Sequence, residues 1–312
     1  ENLILDTPAT SSLDGANVGA ETTSVKVTGG HVLTYKSAVQ ESFTVSENST
    51  GLTVTALSGF TNSATNAITV TLGDGTLGTI TLGDEDEDAT YGYDYETVNL
   101  VIAGAGSATI TEANGGTTGA AGWGTTGDEI KVTGTGDYEL NIADALLGGN
   151  ATLGSAVAAK ITAGDHVGKL TVDLGVVETE HVSAKNWVGV DAIKIETDET
   201  GSDDTNLVDV ASGTEVIVTA QESTANTITI DPNGTASGET LTVTLNNATA
   251  GSSIDQTSLT TDGFETLTIH STGTDSATVV VKNVIDTVAG TTTDPTLNIS
   301  GDKLLTVGTA VD

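Results

Sequence analysis

Ala67-Ile-Thr-Val-Thr-Leu72 is followed by Gly73-Asp74-Gly75 and then by Thr79-Ile-Thr-Leu82. In both runs Ile, Val or Leu falls on every second residue and Thr on the residues between. Successive side chains of a strand point to opposite faces, so this alternation predicts strands with one apolar and one hydroxyl-bearing face. Asp-Gly tolerates the positive φ of a tight turn, and Gly73-Asp74-Gly75 therefore predicts a β-hairpin joining the two runs. The same alternation recurs at Ser24–Thr28, Glu96–Ile102, Thr227–Ile230, Thr240–Leu245 and Thr266–Ile269.

Composition extends the reading to the whole chain. Of 312 residues, 38 are Gly and only 3% are aromatic, so burial falls to Val, Ile, Leu and Ala in thin layers. The expected fold class is all-β: tandem β-sandwich or β-solenoid-like modules, elongated, with very little helix. The best helical candidate, Asp144–Ile161, is broken by Gly148 and Gly149 and predicts short turns or loops at most. An acidic residue leading alternating apolars appears at Glu96-Thr-Val-Asn-Leu, Asp191-Ala-Ile-Lys-Ile and Glu265-Thr-Leu-Thr-Ile. Gly-led strands follow each, from Gly127, Gly213 and Gly301. These echoes suggest modules over 1–95, 96–190 and 191–264, with 265–312 as the start of a fourth, truncated one. Trp123 and Trp187 are expected as core anchors.

Charge narrows the partners. Nine positive residues, all Lys, stand against 43 acidic ones, for a net charge of −34. Nucleic acid is excluded as a partner, because binding it requires Lys and Arg to displace counterions. Anionic membrane surfaces are disfavoured likewise, and no run approaches the ~18 apolar residues needed to insert into a bilayer. Without Cys there is neither a disulfide framework nor a thiolate metal site. Self-repulsion on this scale opposes compaction unless cations relieve it.

Catalytic constellations are not found. His31, His166, His181 and His270 have no HxH, HxxxH or HExxH spacing, and each reads as an exposed surface residue. No Gly-x-Ser-x-Gly elbow accompanies the serines. A β-helical carbohydrate-active enzyme acting on uronic acids would want Arg to neutralise substrate carboxylates, and Arg is absent. Gly104-Ala105-Gly106 lacks the third Gly of a dinucleotide loop and reads as a β-turn. The chain is therefore not expected to be an enzyme.

Carboxylate clusters in turns remain. In Gly83-Asp84-Glu85-Asp86-Glu87-Asp88 the residues Asp84, Asp86 and Asp88 alternate as the early ligands of a calcium loop do, with Asp94 nearby. A second cluster holds Asp198, Asp203, Asp204 and Asp209. Asp231 and Asp262 are weaker candidates, where an Asx-turn alone accounts for the residue. Hard oxygen donors point to Ca²⁺ as the cofactor, and calcium at tenfold its Kd would add about 1.4 kcal/mol per site.

The strand phrases Tyr95-Glu-Thr-Val-Asn-Leu100, Gly263-Phe-Glu-Thr-Leu-Thr-Ile269, Asn283-Val-Ile-Asp286 and Leu297-Asn-Ile-Ser-Gly-Asp302 resemble bacterial surface-layer proteins. The similarity, from Thr90 onward, is to the calcium-dependent, RTX-related type exported by type I secretion. It implies a planar lattice coating the cell, calcium-bridged contacts and an uncleaved C-terminal export signal. The nonapeptide Gly-Gly-x-Gly-x-Asp is absent, so no ligand set carries over from the family. The expectation is a secreted, cell-surface protein assembling with copies of itself, with cell-surface polysaccharide as a further partner. A non-catalytic calcium-binding adhesin is the alternative.

Overall fold

The computed structural model describes residues 2–6, 9–14, 24–28, 32–37, 42–45, 51–56, 67–84, 97–113, 129–142, 160–176, 181–197, 205–220, 227–233, 238–247, 253–256, 258–261, 263–273, 282–289 and 296–311. Among these the protein is all-β and solenoid-like, without a helix. The chain divides into two compact units. Unit 1 comprises 1–148, 159–171 and 186–190, and unit 2 comprises 149–158, 172–185 and 191–312.

Unit 1 contains two parallel ladders. The first stacks Asn2–Asp6, Ser24–Thr28, Ser42–Val45, Ala67–Leu72, Thr97–Ile102, Glu129–Thr135, Lys160–Val167 and Trp187–Val188. The second stacks Ser11–Asp14, Leu33–Ser37, Gly51–Ala56, Gly75–Asp84, Gly106–Ala113 and Tyr138–Ile142. From Asn2 to Val167 the chain visits the two ladders in turn, so each coil supplies one strand to each. Parallel neighbours need a crossover connection, and here the strand in the opposite ladder is part of that crossover.

Side-chain alternation becomes columns through this stacking. Val25, Phe43, Val70, Leu100 and Val132 lie in register along the first ladder, each at most 1% exposed. Leu33, Leu52, Ile80, Ile110 and Ile142 do the same along the second. Each such side chain contributes roughly 1.5–3 kcal/mol by leaving water. On the other face of the second ladder runs Ser12, Thr34, Thr53, Thr81 and Thr111, none of them buried. Thr81 and Thr111 share a 3.0 Å hydrogen bond between their hydroxyls. The apolar residue of each pair thus builds the interior, and the Thr builds the outer surface.

The expected hairpin at Gly73-Asp74-Gly75 is not formed. Ala67–Leu72 and Gly75–Asp84 belong to different ladders, each between parallel neighbours. The tripeptide is a corner that carries the chain from one ladder to the other. Gly73, Gly104, Gly136 and Gly168 occupy the equivalent place in four successive coils, linked through backbone bonds Gly75 N to Ala105 O, Gly106 N to Asp137 O and Tyr138 N to Lys169 O. Two of these positions demand Gly. Gly136 combines φ +123° with a Cβ position 2.2 Å from Gly104 O, and Gly168 combines φ +133° with one 2.4 Å from Gly136 O. Gly104-Ala105-Gly106 is such a corner, a bend between the two ladders.

Unit 2 has the same organisation. One ladder contains Ala192–Thr197, Glu215–Ala220, Thr240–Asn247, Thr266–Gly273 and Thr296–Gly301. The other contains His181–Ser183, Thr205–Val210, Thr227–Pro232, Ser258–Thr261 and Lys282–Ala289, with Leu304–Val311 and Ser253–Gln256 both beside the last of these. Ile193, Val216, Val243 and Ile269 form a buried column, and Thr205, Ile228 and Leu259 another.

The predicted strands at Ser24–Thr28, Ala67–Leu72, Thr227–Ile230, Thr240–Leu245 and Thr266–Ile269 are all present. Of the helical candidate, residues 144–159 lie outside the described residues, whereas Lys160 and Ile161 begin a strand. Trp187 is buried at 6% exposure, and Trp123 lies outside the described residues.

Candidate functional site

The acidic residues singled out from sequence separate into three groups. Asp86, Asp88, Asp94, Asp198, Asp203, Asp204 and Asp262 lie outside the described residues. Asp84 ends the strand Gly75–Asp84 beside Ala56, and Asp231 lies half-buried in Thr227–Pro232. Asp209 has a definite local role. Its backbone takes φ +59°, and its Oδ2 accepts a 2.7 Å hydrogen bond from the buried Ser183 hydroxyl of the preceding coil. A short polar side chain tolerates this left-handed geometry, and here it locks two coils together. Among the described residues no three His, Asp or Glu side chains converge as a metal-binding group.

Other carboxylates take on the work of joining coils. Asp74 Oδ1 accepts from Ala105 N at 2.9 Å, and Asp137 Oδ1 accepts from Lys169 N at 2.8 Å. Both bonds tie successive coils at the same corner, and Asp137 lies two coils on from Asp74. Glu129 sits in a basic and hydroxyl-bearing setting. Its Oε1 accepts from Thr162 at 2.6 Å and meets Lys160 Nζ at 2.9 Å, while Oε2 faces Lys131 Nζ at 3.3 Å. Burial pulls its pKa upward, but the Thr162 hydroxyl and the two lysines together outweigh this and hold it below the usual glutamate value. In unit 2, Asp173 is 4% exposed, and Lys194 Nζ lies 2.8 Å from its Oδ2.

The corner at Glu239 was not anticipated from sequence. Glu239 is 6% exposed, and its Oε2 is buried without a hydrogen-bond partner. Glu265 occupies the equivalent position one coil on. Its N and that of Thr266 donate to Glu239 O at 3.0 and 3.1 Å, and its Oε2 accepts from Glu239 N at 2.6 Å. Residues 239, 241 and 243 are buried while 240 is exposed, so Glu239 shares the inward side of its strand with Leu241 and Val243. That parity was the available signal, masked by Gly238 and Thr240, which make the segment look like a solvated turn.

The histidines correct another expectation. Both ring nitrogens of His166 and the Nδ1 of His181 are buried without hydrogen-bond partners, so these two are not simple surface residues. His270 is on the outer, hydroxyl-bearing face as expected, in register with Thr244 and Ser300 and 3.4 Å from the Ser300 hydroxyl. His31 lies outside the described residues. Ser183 donates to Asp209 and so lacks the serine-to-histidine bond of a catalytic triad. Tyr138 has a buried hydroxyl whose pKa is raised, first by burial and then by the nearby charge of Asp74.

No family model, curated protein or solved structure matches this chain. Its function is therefore read from the geometry and the sequence.

Proposed function

We propose that this chain is a non-catalytic structural protein of a bacterial cell surface, which assembles with copies of itself into a calcium-stabilised lattice. The observation that carries the proposal is repetition. Successive coils present the same chemistry in register, as in the Ser12-Thr34-Thr53-Thr81-Thr111 column. A surface that repeats at the strand spacing can meet a second copy through many equivalent weak contacts, and closed or propagating assemblies are built from such self-complementary patches.

Charge gives the assembly its condition. At a net −34, two copies repel at low ionic strength. Divalent cations held by the acidic stretches Asp84–Asp88 and Asp198–Asp209 would remove that repulsion and add stability. A secreted location supplies both millimolar calcium and freedom from the need for thiol chemistry, consistent with a chain without Cys.

Sedimentation of the purified chain in EGTA and then in millimolar calcium tests this reading. A shift from a small species to large assemblies on adding calcium, reversed by EGTA, is the expected result. A monomer in both buffers that binds glycans would instead point to the adhesin, and a monomer that does neither overturns the proposal.

A further inference from the structure

We infer that the Glu239–Glu265 corner of unit 2 is a divalent-cation site, with calcium as its ligand. It extends the calcium reading above but stands on residues outside the sequence-derived clusters. The first observation is the burial of Glu239 at 6% exposure, with Oε2 lacking any hydrogen-bond partner. An ionised carboxylate in that position is unstable unless a positive charge meets it. The second observation is the neighbour. The pairing of Thr240 with Thr266 sets Glu239 and Glu265 on adjacent coils at the same corner. Two like charges directly across a ladder repel, so this stacking adds to the cost that a cation would relieve.

The strand spacing is compatible with one bridging ion: parallel strands lie ~4.8 Å apart, about twice the ~2.4 Å calcium–oxygen distance. The Glu265 carboxylate is already held at the corner by its 2.6 Å bond to Glu239 N, which limits the rearrangement that binding requires. Calcium takes six to eight oxygens, so backbone carbonyls and water would complete the shell, giving the weak affinity of extracellular sites.

Glu239→Gln supplies the test, because it keeps the shape and deletes the charge. The probe is calcium itself, followed by isothermal titration and thermal unfolding of the full chain. Glu239→Gln should bind one calcium fewer than wild type, and its Tm in EGTA should lie above that of wild type because a buried charge has been removed. The calcium-induced rise in Tm should shrink in the same variant. Glu265→Gln, more exposed, should lower calcium affinity without raising the EGTA Tm as much. Unchanged stoichiometry and an unchanged calcium response in Glu239→Gln would overturn the site. The two readings separate cleanly. Arrays that form normally while Glu239→Gln keeps full stoichiometry reject the site alone, and a lost equivalent without any wild-type assembly rejects the lattice alone.

Discussion

Lys194 Nζ lies 2.8 Å from Asp173 Oδ2, and the Asp173 side chain is only 5% exposed. The other carboxylate oxygen accepts from Gly175 N at 2.9 Å, so Asp173 is satisfied on both sides. Removing the lysine leaves a buried negative charge without its partner. Lys194→Met should therefore destabilise by about 3 kcal/mol, measured by urea unfolding. Adding Asp173→Asn to that variant should restore most of the loss, since the amide oxygen can still accept from Gly175.

The corner glycines make a sharper prediction. Gly136→Ala places a Cβ 2.2 Å from Gly104 O at a φ of +123°, and should cost at least 1–3 kcal/mol, on the order of other strained backbone sites. Gly164→Ala is the control, since a Cβ there meets nothing within 4 Å. It should stay within about 0.5 kcal/mol of wild type.

Face assignment can be tested on neighbours in one strand. Ile80 is fully buried in the Leu33-to-Ile142 column, and Thr81 belongs to the outer hydroxyl column. Ile80→Ala should cost about 2–5 kcal/mol, whereas Thr81→Ala should cost under about 1 kcal/mol. A strand shifted by one residue would reverse the two, because the side-chain period is two.

Glu129 predicts a pH effect of known sign. Its folded-state pKa lies below the ordinary value of 4.5, so the folded state favours the ionised form. That contribution is fully present above pH 4.5 and is lost as the pH falls through the folded value. Chemical denaturation across pH 3–7 should show Glu129→Gln losing stability relative to wild type near neutrality, with the gap closing under acid. A gap independent of pH would contradict the assignment.

Much of the fold was legible because burial in a strand is written at a period of two. Ser24–Thr28, Ala67–Leu72 and Thr266–Ile269 announce themselves by alternating Val, Ile or Leu with Thr. Pairing direction was not legible. Gly73-Asp74-Gly75 needs the same permissive backbone for a hairpin as for a corner, and only the neighbouring coils decide between them. Register was hidden for a related reason: Ser24 lies beside Ser42 but Thr97 beside Glu129, so steps of 18 and 32 residues conceal any fixed repeat. Asp209 stood out as one acid in a cluster, yet its partner Ser183 is supplied by the preceding coil. The inward direction of Glu239 is set by its parity with Leu241 and Val243, which becomes visible only through their burial.

The central claim is assembly driven by calcium, and negative-stain imaging of the purified chain tests it most directly. Samples in EGTA and in about 1–10 mM calcium, a range set by the affinities of extracellular calcium modules, would be compared side by side. The account predicts dispersed particles in EGTA and ordered arrays once calcium is added. Dispersed particles in both buffers, with calcium leaving the protein unchanged, would contradict it.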